Sequence, residues 1–254
     1  MALVKTAKEI EILREGGRIL WNILRKVGQA VRPGVSTFDL DLIARQEIKK
    51  AGVEAAFPGY RIGPKYPPFP AALCASINSE IVHGIPKKDR VLKEGDIVGL
   101  DLGIKFRGLY TDAAITVPVG KIDEKSQKLI SATAAALEAG IEAAAPGNTI
   151  GDIGHAIESA AKAAGLGVVR DLVGHGVGHA IHEPPNIPNY GRPGTLEELK
   201  KGMVIAIEPM FTLGARQIVL LDDGWTMVTE DGSRAAHFEK TVAVTEKGHL
   251  VLTE

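Results

Sequence analysis

The chain has 254 residues, 45% of them apolar and 24% charged, which is enough for a substantial core built as one large domain or two small ones. A net charge of −1 excludes a global basic field that would attract nucleic acid, and a single cysteine, Cys74, excludes an intrachain disulfide. The opening MALVKTAKEIEILREGG lacks the apolar centre of a signal peptide, and no stretch reaches the ~18 apolar residues of a membrane span, so a soluble cytoplasmic protein is expected.

Helical periodicity runs over 6–28 and again over 37–51. Residues 59–70, GYRIGPKYPPFP, carry too much proline for a helix or regular strand and form either a surface loop or the wall of a pocket. Strands are predicted near 72–83, 96–104 and 109–119. A second helix pair follows at 124–144 and 149–164, its Ala-rich SATAAALEAGIEAAA suited to close packing. Strands near 168–174, 203–212, 218–228 and 237–252 end the chain. Pro33-Gly34, Asp39 and Ala51-Gly52 recur as Pro146-Gly147, Asp152 and Ala164-Gly165 at a constant offset of 113. That offset is too long for a solenoid and predicts two similar halves, about 1–120 and 121–254, related by a pseudo-twofold axis within one unit spanning 1–254. Helices in runs followed by strands in runs predict an α+β fold with a curved antiparallel sheet.

Four acids lie inside strand-like apolar runs: Asp101 in GDIVGLDLGI, Asp112 in LYTDAAITV, Glu208 in MVIAIEPM and Glu239 in AHFEKTVAV. A carboxylate in a buried strand is costly unless its charge is cancelled. Strand alternation puts Val98, Leu100, Leu102 and Ile104 on one face and Gly99, Asp101 and Gly103 on the other. Asp112 shares its face with Tyr110, Ala114 and Thr116, Glu208 with Val204 and Ala206, and Glu239 with His237, Thr241 and Ala243. Faces lined by small or polar residues suit the floor of a cavity. One such acid alone could be a salt-bridged edge residue. Four together with His175, in GHGVGH, read as a site for two divalent ions, because four carboxylates neutralise two dications and an imidazole completes the set. Asp101 and Asp112 flank KFRG, which reads as a hairpin turn bringing both to one ion. His83, in NSEIVHGIP, and His182 are further candidates; His182 needs a bend to join His175, seven residues earlier. His155, His179 and His249 read as structural or surface residues, and Cys74 as a packing residue rather than a nucleophile. The GHGVG run fits no phosphate loop, and no GxSxG supports a serine hydrolase.

In chain order, RPGVST with FDLD, ASINSEIVHGIP, DLG and YTDAAIT, GHGVG with HEPPNIPNYG, IAIEPM and DGWTMVTEDGSRAAHFEKTV resemble the type I methionine aminopeptidases of peptidase family M24, in their shorter bacterial form. The match covers nearly the whole chain. It implies the pita-bread fold as a single catalytic domain, and two divalent ions, Fe, Mn, Co or Zn, held by Asp101, Asp112, His175, Glu208 and Glu239, with Asp112 and Glu239 bridging. By resemblance, a hydroxide between the ions attacks the carbonyl of an N-terminal methionine when the second residue is small. Glu208 shuttles the proton, His182 stabilises the oxyanion and His83 holds the second residue's amide. The substrate's free α-amino group binds a metal near Asp101 and Asp112. The methionine pocket falls on Tyr60, Phe69, Cys74, Ile181 and Trp225. Departures from the family pattern are about six extra residues within 61–68, Ile181 for an aromatic, His237 for Gln and Lys240 for His. Alternation turns Lys240 away from the site. The implied partners are the N-termini of nascent peptides, with ribosome association suited to co-translational cleavage though no basic cluster argues for it, and a monomer is the usual family form. Met1 before Ala2 would make the chain its own substrate. Two rivals stand beside this reading: a proline-specific aminopeptidase or dipeptidase of the same fold, and a non-catalytic binding relative, whose mark would be a lost ligand.

Overall fold

The computed structural model describes residues 4–254, so the Met1-Ala2 expectation lies outside the described residues. Four helices form where the periodicity places them: α1 (Ala7–Gln29), α2 (Thr37–Ala51), α3 (Glu124–Glu142) and α4 (Ile150–Ala164). Each begins at a side chain that satisfies groups left unpaired by the first turn. Thr6 with Glu9, and Ser36 with Asp39, form reciprocal capping boxes. The Asp152 carboxylate accepts from the Thr149 amide and hydroxyl, both at 2.7 Å, and Asp123 accepts from the Ser126 amide at 2.7 Å. Both α2 and α4 stop at a glycine with φ 68°, Gly52 and Gly165, a left-handed conformation that costs glycine little. The sequence duplication is therefore a duplication of helix starts and stops. It extends to the bridges Ser36–Val91 and Thr149–Glu198, which tie each of these two N-caps to a later segment of its own half.

The strands are β1 (Glu54–Ala55), β2 (Cys74–Ile77), β3 (Glu80–Val82), β4 (Ile97–Phe106), β5 (Leu109–Pro118), β6 (Gly167–Val168), β7 (Gly174–Gly176), β8 (Glu183–Ile187), β9 (Val204–Ile207), β10 (Met210–Thr212), β11 (Ile218–Leu220), β12 (Met227–Thr229), β13 (Ala235–His237), β14 (Glu239–Val244) and β15 (His249–Val251). Nine of them make one antiparallel sheet in the order β1-β4-β5-β14-β9-β7-β8, with β2 beside β4 and β15 beside β14. The β4–β5 hairpin of the first half meets the strands of the second half along β5 and β14. One face of this curled sheet is roofed by helices. Leu20 and Leu24 of α1 and Leu40 of α2 pack with Val98, Leu100, Leu102 and Ile104. Leu137 of α3 and Ile153 and Ile157 of α4 pack with Ile205, Ile207, Val242 and Val244. At roughly 1.5–3 kcal/mol for each fully buried aliphatic side chain, this alternation locks the register and turns the intervening residues to the other face.

Several predicted strands are broken by identifiable turns. The 72–83 run splits at a turn containing Asn78 (φ 55°) into β2 and β3, which enter different sheets. The 203–212 run stops at Glu208-Pro209, where proline has no amide to give a ladder. The 218–228 run folds back at Asp223, whose carboxylate accepts from the Trp225 and Thr226 amides at 2.9 and 2.8 Å. The 237–252 run splits into β14 and β15 after β13, and the 168–174 run into β6 and β7, in different sheets. Strand β8 went unread because EPPNI carries two prolines; it lies at the sheet's end, where a missing amide is tolerated.

Candidate metal centre

Register assembles three of the four acids. Across β2, β4, β5 and β14 one row reads Cys74, Asp101, Ala114, Glu239. The adjacent row, two residues along each strand, pairs Gly103 with Asp112 across β4 and β5, and Thr241, Ala206 and His175 across β14, β9 and β7. The Thr241 hydroxyl joins the two segments by donating to the Asp112 carbonyl at 2.7 Å and accepting from its amide at 3.0 Å. The acids thus form a checkerboard. Asp101 and Glu239 sit two strands apart in one row, roughly 10 Å between backbones, and Asp112 stands between them in the next row. Ala114 and Ala206 are the small residues between the acids in these rows, and the bare Cα of Gly103 admits Phe57 and Ile181.

The resulting side-chain geometry brings three groups of donor atoms together, each within 4.8 Å: Asp101, Asp112 and Glu239; His175, Glu208 and Glu239; and Asp112, His175 and His182. Glu208 follows β9, with its carboxylate 3.5 Å from His175 Nε2 and 3.4 Å from His237 Nε2. The bend required of His182 is present. The chain reverses between β7 and β8, and the His175 and His182 rings meet edge to face at 4.3 Å. His83 (φ 61°) stands edge-on to Trp225 at 5.9 Å.

Electrostatically the site is loaded. Burial, then the charges of Asp112 and Glu208, hold Asp101 well above the usual carboxylate range. Burial, reinforced by Glu208, pushes Asp112 up to about 8, and burial pushes Glu208 up to about 8. Glu239 is raised by burial and then by Asp112, Glu208 and Asp101. His83, His175 and His237 are pulled down to about 4, 3 and 3, in each case chiefly by burial, and so present neutral rings with a lone pair. Asp101 Oδ1 and Glu239 Oε1 are buried without a hydrogen-bond partner. Crowded, desolvated carboxylates with orphaned oxygens lack a cation of their own, and among the described residues no Lys or Arg lines the cavity. Divalent ions fit this donor set of carboxylate oxygens and neutral imidazole nitrogens.

The acids and histidines share a cavity of about 290 Å³ with an apolar wall. Tyr60, Phe69, Cys74 and Trp225 line it, and Phe69 and Trp225 pack edge to face at 5.1 Å. Ile181 belongs to the same apolar cluster but packs behind the wall rather than on the cavity surface. Burial and the neighbouring Asp101 raise the Cys74 thiol well above its ordinary value, which agrees with a packing role. The 59–70 segment is pocket wall: Tyr60, Ile62 and Phe69 face the cavity, and the Pro67 carbonyl accepts from Trp225 Nε1 at 3.0 Å. Phe57, Val82, Leu172 and Met210 also line it, and nothing in their sequence context separates them from ordinary core. His237 is 3% exposed beside Glu208 and stands in the site more directly than its pattern suggested. Lys240 points to the helix face as alternation required, its ammonium 3.2 Å from the centre of the Trp21 ring and bonded to the Thr253 carbonyl. His179 is a surface residue, with its ring 2.8 Å from Glu9.

A metallopeptidase is the class that this fold and donor set define, and the profile of metallopeptidase family M24 matches residues 11–246. The chain belongs to that family. It is 46% identical over 253 residues to a methionine aminopeptidase of Clostridium acetobutylicum, covering 100% of this chain and 99% of the relative. A crystal structure of methionine aminopeptidase from Thermotoga maritima superposes with a TM-score of 0.96 at 44% identity, covering all of both chains. Prolidase from Pyrococcus furiosus superposes at 0.73 with 25% identity, and this chain spans 66% of it.

Proposed function

We propose that this metallopeptidase removes the N-terminal methionine from polypeptides, with preference for a small second residue. The observation that carries the reading is the joining, in one cavity, of a carboxylate-imidazole centre to an apolar, aromatic wall suited to a thioether side chain. Asp101, with Asp112 and Glu239, would hold one divalent ion; His175 and Glu208, sharing Asp112 and Glu239, would hold the second. When bound, such ions polarise the scissile carbonyl and lower the pKa of water, supplying a nucleophile near neutral pH. The chain's own residues do the rest. Glu208 carries the proton from the attacking water to the departing amine. His182, exposed toward the cavity mouth, stabilises the negative charge that develops on the carbonyl oxygen. His83 holds the amide of the second residue, and Tyr60, Phe69, Cys74 and Trp225 exclude water around the methionine side chain. The chain acts as one catalytic domain on nascent N-termini, as a cytoplasmic monomer working at the ribosome. No helix among the described residues is long and apolar enough to cross a membrane.

The test is hydrolysis of Met-Ala-Ser, Met-Lys-Ser and Ala-Pro-Ser by protein stripped with chelator and reloaded with Mn or Co. Metal-dependent release of methionine from Met-Ala-Ser alone is the expected result. Cleavage mainly of Ala-Pro-Ser would move the chain to the proline-specific relatives. Failure of the folded protein to bind metal or turn over any peptide would make it a binding protein.

A further inference from the structure

The reversal that carries His182 is held by a buried ion pair whose cation comes from the far end of the chain. Lys5 Nζ contacts Glu183 Oε1, and the two side chains are 1% and 4% exposed. The other oxygen of Glu183 accepts from the His179 and Ala180 amides, each at 3.1 Å. Within the same reversal the Gly178 amide donates to the Ala180 carbonyl at 3.1 Å, and the Gly178 carbonyl accepts from the Tyr110 amide at 2.7 Å. Gly178 (φ 138°) passes so near the lysine stem that a Cβ there would lie 2.5 Å from Lys5 Cε. Lys5 is itself seated: its amide donates to the Gly202 carbonyl at 2.7 Å, and Val4 forms a bridge with Met203. One turn along α1, Glu9 reaches the His179 ring. The segment 4–9 thus grips residues 177–183 at several points, and His182 is the side chain that this grip presents to the cavity, its ring against His175 and Tyr60 at 4.3 and 4.9 Å.

We infer that Lys5 is a positioning residue for His182, acting through Glu183. Removal of the ammonium leaves a buried carboxylate without its cation. That carboxylate then reorients, the His179 and Ala180 amides lose their acceptor, and the reversal relaxes. His182 follows, because it is bonded directly to Glu183. Group placement within about 1 Å governs catalytic efficiency, so the effect reaches turnover before it reaches binding. The inference rests on the proposed methionine-releasing role of the site.

The experiment is a double-mutant cycle on full-length protein with Met-Ala-Ser. Lys5→Met is expected to lower kcat at least about ten-fold while KM changes less than about three-fold, and Lys5→Arg to recover most of the loss. In a His182→Ala background Lys5→Met should cost under about two-fold, since the residue it positions is gone. Lys201→Met, which breaks the exposed Lys201–Glu246 pair, is the control and should change nothing. Glu183→Gln carries the same cycle should Lys5→Met not fold. In metal-free protein, the His182 imidazole resonances should move in the Lys5 and Glu183 variants and stay in place in Lys201→Met. Losses that multiply with His182→Ala, or unmoved His182 resonances alongside a lowered Tm, would make the pair a stabilising contact only and overturn the inference. A wild-type protein that releases no methionine would sink the function instead, and the resonance comparison would still decide the positioning.

Discussion

Rising pH is expected to destabilise the metal-free protein between about pH 6.5 and pH 8, and divalent metal to reverse the trend. A carboxyl whose folded pKa lies above its unfolded one stabilises the fold while protonated. That contribution is complete below the unfolded value and is lost as pH rises through the folded one. Asp112 and Glu208 move from 3.8 and 4.5 to about 8, with Asp101 and Glu239 raised in the same direction. Four imidazoles oppose them, His182 being lowered by burial to about 4 like the three that follow. His83, His175 and His237 are lowered from 6.5 to about 4, 3 and 3, so they favour unfolding in acid, where the unfolded chain binds the extra protons, and this penalty fades as pH approaches 6.5. Below 6.5 the two trends offset each other; above it the carboxyls dominate, opposed only near pH 8 by Lys240, which burial lowers from 10.5 to about 8. At about 1.4 kcal/mol per pH unit, Asp112 and Glu208 each remove roughly 2 kcal/mol by pH 8. That is a large share of a typical stability of roughly 5–15 kcal/mol. Urea midpoints of chelator-treated protein at half-unit steps from pH 5 to 8 measure it, urea leaving ionic strength unchanged. Asp112→Asn should flatten the upper limb by one group's slope, about 1.4 kcal/mol per unit. Added Mn should raise stability most at pH 8, because ligands bind metal deprotonated. Metal-free stability that stays level or climbs from 6.5 to 8 would refute the shared, desolvated face.

Two substitutions test the local geometry. Gly103→Ala places a Cβ 2.8 Å from Phe57 Cε1 and 2.9 Å from Ile181 Cδ1. It should displace the apolar wall, raise KM for methionyl peptides about ten-fold and cost roughly 1–3 kcal/mol of stability, read by peptide kinetics and urea midpoint together. Thr241→Val removes a fully buried hydroxyl that serves both backbone groups of Asp112. A loss on the order of 2–4 kcal/mol is expected from two stranded polar groups, and a urea midpoint within about 0.5 kcal/mol of wild type would show that they find other partners.

The helices and the acid-bearing faces were legible because each rests on a local rule. Capping pairs three residues apart mark Thr6, Ser36 and Thr149, and strict alternation through Ile97–Phe106 decides which way Asp101 points. The gathering of His175 and His182 was not legible in detail, because it depends on a reversal and a bulge in β7 that no alternation describes. The breaks at Asn78, Pro209 and Asp223 were hidden inside apolar runs, where hydrophobicity reports burial and not direction. The apolar wall was legible only through resemblance. Phe57 and Met210 share the cavity with Tyr60 and Trp225, yet in the sequence they look like any buried residue. Lys5 gave no signal either: a lysine beside a helix start is an ordinary surface residue until Glu183, 178 positions away, is folded over it.

The seam between the halves explains why a duplicated fold can hold a centre that neither half holds alone. The ladder joining β5 to β14 runs for only two pairs, Glu239 with Ala114 and Lys240 with Ala113. On either side of it, a threonine takes over the pairing. Thr241 of the second half bonds the amide and the carbonyl of Asp112, and Thr116 of the first half bonds the amide and the carbonyl of His237, at 2.9 and 2.7 Å. The two contacts repeat one device with the halves exchanged, as a pseudo-twofold axis through the seam requires. Side-chain pairing of this kind holds the strands together without drawing on the carboxylates, and it supplies no cation to offset their charge. The first half then contributes Asp101 and Asp112, and the second His175, Glu208 and Glu239, so the cluster of donor atoms spans the joint. Only as pH rises through about 8, where these raised carboxyls ionise, would their repulsion oppose the seam in the metal-free protein. A divalent ion bound across the joint would offset that charge and tie the two sides together.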